Sequence, residues 1–249
     1  MEETTIRECT TIEEFDRCVA LQREAFGLPD LELSPRRHLI VSRQAGGWTL
    51  GAFVADRLVG FVHHLAAVRG NNEILGYSHM MAVAKDYQNK GVGARLKWAQ
   101  RERALRESRK LIKWTWDPML ARNAHFNLNR LGATVQTYLD DFYGIDYGAD
   151  ERLGLPSDRL SATWEIDSAR VHALAKNTEA PFEGKRVTTI SIPTDWNALV
   201  KRDARRAREE QTRVREEFHT AFADKLICAG FERGEESSRY VLFEDINHG

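Results

Sequence analysis

The sequence predicts an α/β (α+β) chain built on a mixed, mostly antiparallel central sheet flanked by helices, followed by a smaller C-terminal α/β extension. Three observations carry this. The β-rich runs Trp48 to Val54, Leu58 to Val68 and Ile74 to Val83 are joined by turns too short for a crossover. Helical spacing then takes over at Val92 to Leu105, before another strand-like run at Lys110 to Trp116. A length of 249 residues is enough for a main domain of about 150 residues and a smaller unit.

In order, Thr4 to Glu8 reads as a strand. Thr10-Thr11 with Glu13-Glu14 then opens a helix carrying Phe15, Val19, Leu21 and Phe26, which Gly27 and Pro29 end. A second helix follows Ser34-Pro35, with Pro35 at the first helical position, and stops at Gly46-Gly47. After the three antiparallel strands, Val92, Leu96 and Ala99 mark the buried face of the next helix. Ala121 to Leu131 reads as a helix stopped by Gly132, and Thr134 to Tyr138 and Phe142-Tyr143 as strand or edge structure. Gly148, Gly154 and Pro156 interrupt the pattern, which places a boundary at 146/147. Beyond it come a strand at Leu160 to Ile166, a helix at Ser168 to Lys176, a strand at Arg186 to Ile192, one long charged helix from Trp196 to Ala229 and a strand at Tyr240 to Phe243.

Thirty-six basic against thirty-seven acidic side chains leave a formal charge of -1, so no overall field draws this protein to nucleic acid or an anionic membrane. Cys9, Cys18 and Cys228 fit no metal spacing and read as free thiols in the core. No run approaches the roughly 20 apolar residues of a membrane span, and Met1 to Thr11 lacks a leader's apolar stretch, so a cytoplasmic location is expected.

The chemistry-bearing segment is Gln88-Asn89-Lys90-Gly91-Val92-Gly93-Ala94, which joins an apolar strand to a helix N-terminus. Free backbone N–H groups and the helix dipole favour an anion there, and glycines let a ligand approach the backbone. Arg95 stands where a dinucleotide fingerprint has its third glycine, and no Gly-Lys-Ser/Thr makes a nucleotide P-loop. From Met80 through Met81-Ala82-Val83 to Ala94, the stretch resembles the central motif of the GNAT superfamily of acyl-CoA N-acyltransferases, an apolar strand followed by Gln/Arg-x-x-Gly-x-Gly/Ala. The element order matches that fold from residue 4 to about 143.

The resemblance implies a GNAT-like domain over 1–146 and an extension over 147–249, a partial repeat or a dimer arm. It also implies acetyl-CoA or another acyl-CoA as co-substrate, with no metal. The backbone of Met81, Ala82 and Val83 would pair with the pantetheine arm, and the amides of Gln88 to Ala94 would hold the pyrophosphate. Asn123 and Asn127, on one face of the fourth helix, are further cofactor candidates.

Amine attack on a thioester needs a base for the ammonium proton. Strand alternation puts Tyr77, His79, Met81 and Val83 on one face, and His79, with an ordinary pKa near 6.5, is the first choice for that base. Tyr77 lies beside it, and Asp117, at a strand end before Pro118, is placed to hold the ammonium. His63 and His64 point to opposite faces and do not form a metal pair. Arg36 and Arg37 are candidates for binding a carboxylate.

The chain departs from the family at Leu128, where a tyrosine acid is usual. That leaves the thiolate's proton to His125, to water held by Asn129, or to solvent. The combination Ser78-His79-Met80, Trp116-Asp117-Pro118 and Arg122 to Asn129 is similar to a bacterial subgroup, some of whose members resemble enzymes that N-succinylate D-amino acids. The expected reaction is therefore transfer of an acetyl or succinyl group to a small amine, foremost an amino acid. The alternatives are a non-catalytic acyl-CoA-binding module and a protein or tRNA acetyltransferase docking through the C-terminal helix.

Overall fold

A computed structural model describes residues 3–70, 72–144 and 154–245. The chain divides into two compact units, Met1–Lys113 and Trp114–Gly249. The boundary read from sequence at 146/147 lies outside the described residues.

The first unit contains β1 (Thr4–Glu8), α1 (Ile12–Phe26), α2 (Arg36–Gln44), β2 (Trp48–Val54), β3 (Arg57–Arg69), β4 (Glu73–Val83), α3 (Val92–Arg106) and the start of β5 (Leu111–Trp116). Its strands lie in the order β1-β2-β3-β4-β5. The pairs are antiparallel up to β4, while β4 and β5 pair in parallel through Gly76–Ile112 and Tyr77–Lys113. The parallel pair follows from α3, which acts as the crossover that such strands require.

Local sequence sets the ends of these elements. Thr11 caps α1 and exchanges bonds with Glu14 in a capping box, and Gly27 ends the helix at φ 63°, where a side chain would be strained. Pro35 is the N-cap of α2 rather than its first residue, with extended φ −71° and ψ 158°. Two apolar layers cover the sheet. Phe15, Cys18 and Leu21 of α1 and Leu39 of α2 pack on Phe61 and Ala82, while Val92 and Leu96 of α3 pack on Val59, Val62 and Trp48. Phe61 is fully buried, so its truncation to alanine should cost about 3–5 kcal/mol.

The second unit holds the end of β5, α4 (Ala121–His125), β6 (Thr134–Leu139), β7 (Arg159–Glu165), α5 (Ala169–Ala175), β8 (Arg186–Pro193), α6 (Trp196–Arg202), α7 (Ala204–Ala223), β9 (Leu226–Glu232) and β10 (Ser237–Glu244). Its strands run β7-β6-β9-β10-β8, with antiparallel pairs β7–β6, β6–β9, β9–β10 and β10–β8. Arg170 ties this unit together by donating to the carbonyls of Leu128, Gly132, Ala180 and Ala229.

Several elements differ from the sequence reading. The helix expected from Trp196 to Ala229 is two helices and the start of a strand. Asp195 and Asp203 each accept a bond from the amide three residues on, so the second aspartate ends α6 and caps α7. Ile227 to Ala229 are then drawn into the buried strand β9. Phe142-Tyr143 form a turn, because Asp141 at φ 43° and Gly144 at φ 81° break the extended path on either side. The fourth helix changes to a π turn over Phe126–Arg130, with Leu131 N–H donating to Phe126 O.

Candidate active site

The loop after β4 is built to leave donors free. Gln88 Nε2 donates to Val83 O at 3.1 Å, tying the loop back to its strand. Asn89 (φ 60°) and Gly91 (φ 81°) both take left-handed backbone, and Gly91 is the N-cap of α3 without a side-chain bond to the helix. Arg95 N–H donates to Gly91 O, so the amides of Val92, Gly93 and Ala94 open the helix with no acceptor within it. A Cβ on Gly93 would make only ordinary contact, 3.4 Å from Met81 Cε. The protein's own packing thus does not require this glycine, whose bareness leaves backbone accessible beside the helix dipole. Lys90 and Arg57 lie 5.4 and 5.5 Å from the Tyr87 ring, adding positive charge near the loop. These residues suit a pyrophosphate.

On β4, Met81, Ala82 and Val83 pair with Val62, Phe61 and Gly60 of β3. The expected alternation breaks just before them. His63 stands opposite Met80 and His64 opposite Ser78, which leaves His79 as the extra residue of a β-bulge. Its phase change corrects the single face drawn through Tyr77, His79, Met81 and Val83. Met81 and Val83 pack on the α3 side, Met80 and Ala82 on the side of α1 and α2. Ser78 accepts from Lys97 of α3, whereas His79 meets Ser34 and His38 on the opposite side. Alternation from Ser78 keeps Tyr77, half-buried, on the side of His79.

Three imidazoles gather there. His38 of α2 lies 5.4 Å from both His63 and His79, and His63 lies 6.0 Å from His79, between ring centres. His63 is fully buried between two hydroxyls. Ser42 donates its proton to Leu39 O, so its oxygen accepts from His63 Nε2–H, and Thr49 donates to Nδ1 at 2.8 Å. Burial, reinforced by His79 and His38, holds the His63 pKa down to about 3, so it is a neutral wall. His79 is exposed and its Nε2 lies 3.1 Å from Ser34 Oγ. Desolvation of its packed side, then the neighbouring His38, lowers its pKa from 6.5 and favours the neutral, proton-accepting form.

On the other face His64 stacks on Trp48 at 4.1 Å and is also held down to about 3, first by burial. Lys97 is 3% exposed, and burial drives its pKa well below the usual value while it donates to Gln100 Oε1 and Ser78 Oγ.

The remaining candidates belong to the second unit. Asp117 Oδ1 accepts from Met119 N at 2.8 Å, an arrangement that shapes the turn. Asn123 is half-buried and Asn127 buried, the π turn having shifted the helical phase between them. Leu128 is fully buried. His125 is half-buried, its pKa lowered by burial and then by Arg233 and Arg130. Arg36 is ion-paired with Asp16, whereas Arg37 is exposed and makes no bond among the described residues. Sequence reasoning missed Ser34, His38 and Gln22. Ser34-Pro35 was legible as a helix opener, but nothing in local spacing links it to His79.

The model of the Acetyltransferase (GNAT) family matches residues 12–126. No curated protein matches the chain significantly. Solved structures do. A GNAT family acetyltransferase from Elizabethkingia anophelis with acetyl-CoA bound is 17% identical at TM-score 0.50, covering 66% of this chain and 99% of that one. An acetyltransferase of the same family from Streptococcus pneumoniae is 19% identical at TM-score 0.51, covering 65% and 98%. The ribosomal-protein-S18-alanine N-acetyltransferase from Escherichia coli is 14% identical at TM-score 0.54, covering 67% and 96%. No helix among the described residues is long and apolar enough to cross a membrane. The fold and the open α3 terminus agree with the family match over residues 12–126, which marks that segment as similar to a GNAT acetyltransferase domain.

Proposed function

We propose that the enzyme transfers an acetyl or succinyl group to the amine of an amino acid, with His79 as the base. The bulge supports this most strongly, since it turns an exposed imidazole out of β4 two residues before the stretch that leads into the anion-binding loop. When bound, acyl-coenzyme A supplies an activated carbonyl carbon. Gln88 to Ala94 anchor its pyrophosphate through backbone amides. Amides from Met81 to Val83 are donors for charge building on the carbonyl oxygen. His79 removes a proton from the acceptor ammonium, the freed lone pair forms the C–N bond, the C–S bond breaks to release coenzyme A as thiolate, and the proton then lost from the new amide nitrogen balances protonation of that thiolate. Tyr77 is assigned to orient the amine.

Arg37 favours an acceptor bearing a carboxylate, because its guanidinium is exposed and unpaired among the described residues. Comparing an amino acid with its decarboxylated amine in Arg37→Ala tests this. The KM of the amino acid should rise with the amine's unchanged, and an equal effect on both would remove the carboxylate from the reading.

A further inference from the structure

Resting on the reading of His79 as the base, we propose that Ser34 is a positioning residue, fixing the imidazole so that Nδ1 takes up the ammonium proton. Ser34 Oγ lies 3.1 Å from His79 Nε2, so that nitrogen is engaged. Nδ1 has no partner among the described residues. In the imidazolium both nitrogens donate, and Ser34 Oγ must then accept from Nε2–H. A neutral ring holding that same bond gains its proton at Nδ1 without losing a hydrogen bond.

Ser34 is held as a functional serine needs to be. Gln22, buried at 1% exposure on α1, donates from Nε2 to Ser34 O at 3.1 Å and accepts from Ser34 N–H at 2.9 Å. One side-chain amide therefore clamps both backbone polar groups of a loop residue, aiming its hydroxyl at the bulge. The ring is also walled. His38 of α2 stands at 60° to it and His63 of β3 at 77°. Of the groups facing His79, Gln22 and Ser34 are uncharged, His63 is neutral with its proton on Nε2, and His38 disfavours the charged form of His79.

The test is NMR of the His79 ring nitrogens, with thiol release from acetyl-CoA in a mixture of L- and D-amino acids, for wild type, Ser34→Ala, Ser34→Thr and His79→Gln. Wild type should carry its proton on Nε2. Ser34→Ala should mix the tautomers and lower kcat about tenfold at unchanged KM for acetyl-CoA, the worth of one hydrogen bond. Ser34→Thr, which keeps the hydroxyl, should restore both. A wild-type proton on Nδ1, or a Ser34→Ala enzyme with unchanged tautomer and kcat, overturns the positioning role. If His79→Gln is inactive in that case, the base reading survives alone; if it is fully active, both fail.

Discussion

The imidazole of His79 meets the hydroxyl of Ser34 at 3.1 Å across 45 residues of chain. A regular strand does not account for the contact. With unbroken pairing between β3 and β4, His79 would have a partner of its own on β3; instead Met80 takes His63 and Ser78 takes His64, and the unpartnered residue turns toward α2. The bulge turns the residue at this position out of the regular ladder.

Replacing His79 with glutamine should remove the base and leave the fold and the cofactor loop intact. The expected loss in kcat is about 100-fold or more, the usual share of general base catalysis. Calorimetric titration with coenzyme A should give the wild-type Kd. A parallel loss of binding would indicate a structural role instead.

Gly93→Val should act in the opposite sense. The first added carbon meets Met81 only at an ordinary distance, so the melting temperature should stay close to wild type. The same side chain covers the amides that open α3, so the Kd for coenzyme A should rise about tenfold or more. Unfolding instead of weakened binding would show that the glycine serves packing.

The pH profile of kcat follows from the electrostatics of the three-histidine cluster. His79 must be neutral to accept a proton, and burial and His38 lower its pKa below 6.5. Activity should therefore persist as pH falls through 6.5 and be lost only at lower pH, with a midpoint set by the lowered pKa. His38→Gln removes the neighbour that disfavours the His79 imidazolium, so the acidic limb should move to higher pH. A shift to lower pH would contradict the assigned influence.

Folding stability should depend on pH through different histidines. His63 and His64 have pKa values near 3 in the folded protein against 6.5 for a free side chain. Between those limits the unfolded chain binds protons that the folded one does not, so stability is full above 6.5 and lost as pH falls. Each histidine should contribute a loss of about 1.4 kcal/mol per pH unit in that window. Urea unfolding of His64→Gln should show a slope shallower by about that amount; an unchanged slope would mean that His64 titrates normally.

Much of the first unit was legible in the sequence, because its signals are local. The capping box at Thr11, the alternating runs of β2 to β4 and the glycines before α3 each act within a few residues. Where the reading departed from the structure, longer-range or competing effects decided. Asp203 looked like one more charge in a helical run until its side chain capped α7. Leu226 to Ala229 reads as the end of that helix, and pairing with β10 makes it strand instead. His79 was singled out in the sequence by residue type and position. Its partners were not, since the bulge depends on the register of two strands and the Gln22–Ser34 clamp joins a helix to a distant loop.

The most direct test of the central claim measures thiol release over a matrix of acetyl-, succinyl- and longer acyl-CoA donors against L- and D-amino acids. The account predicts amine-dependent release with at least one short donor and one amino acid, abolished by His79→Gln. Coenzyme A binding without amine-dependent release from any pair would contradict it.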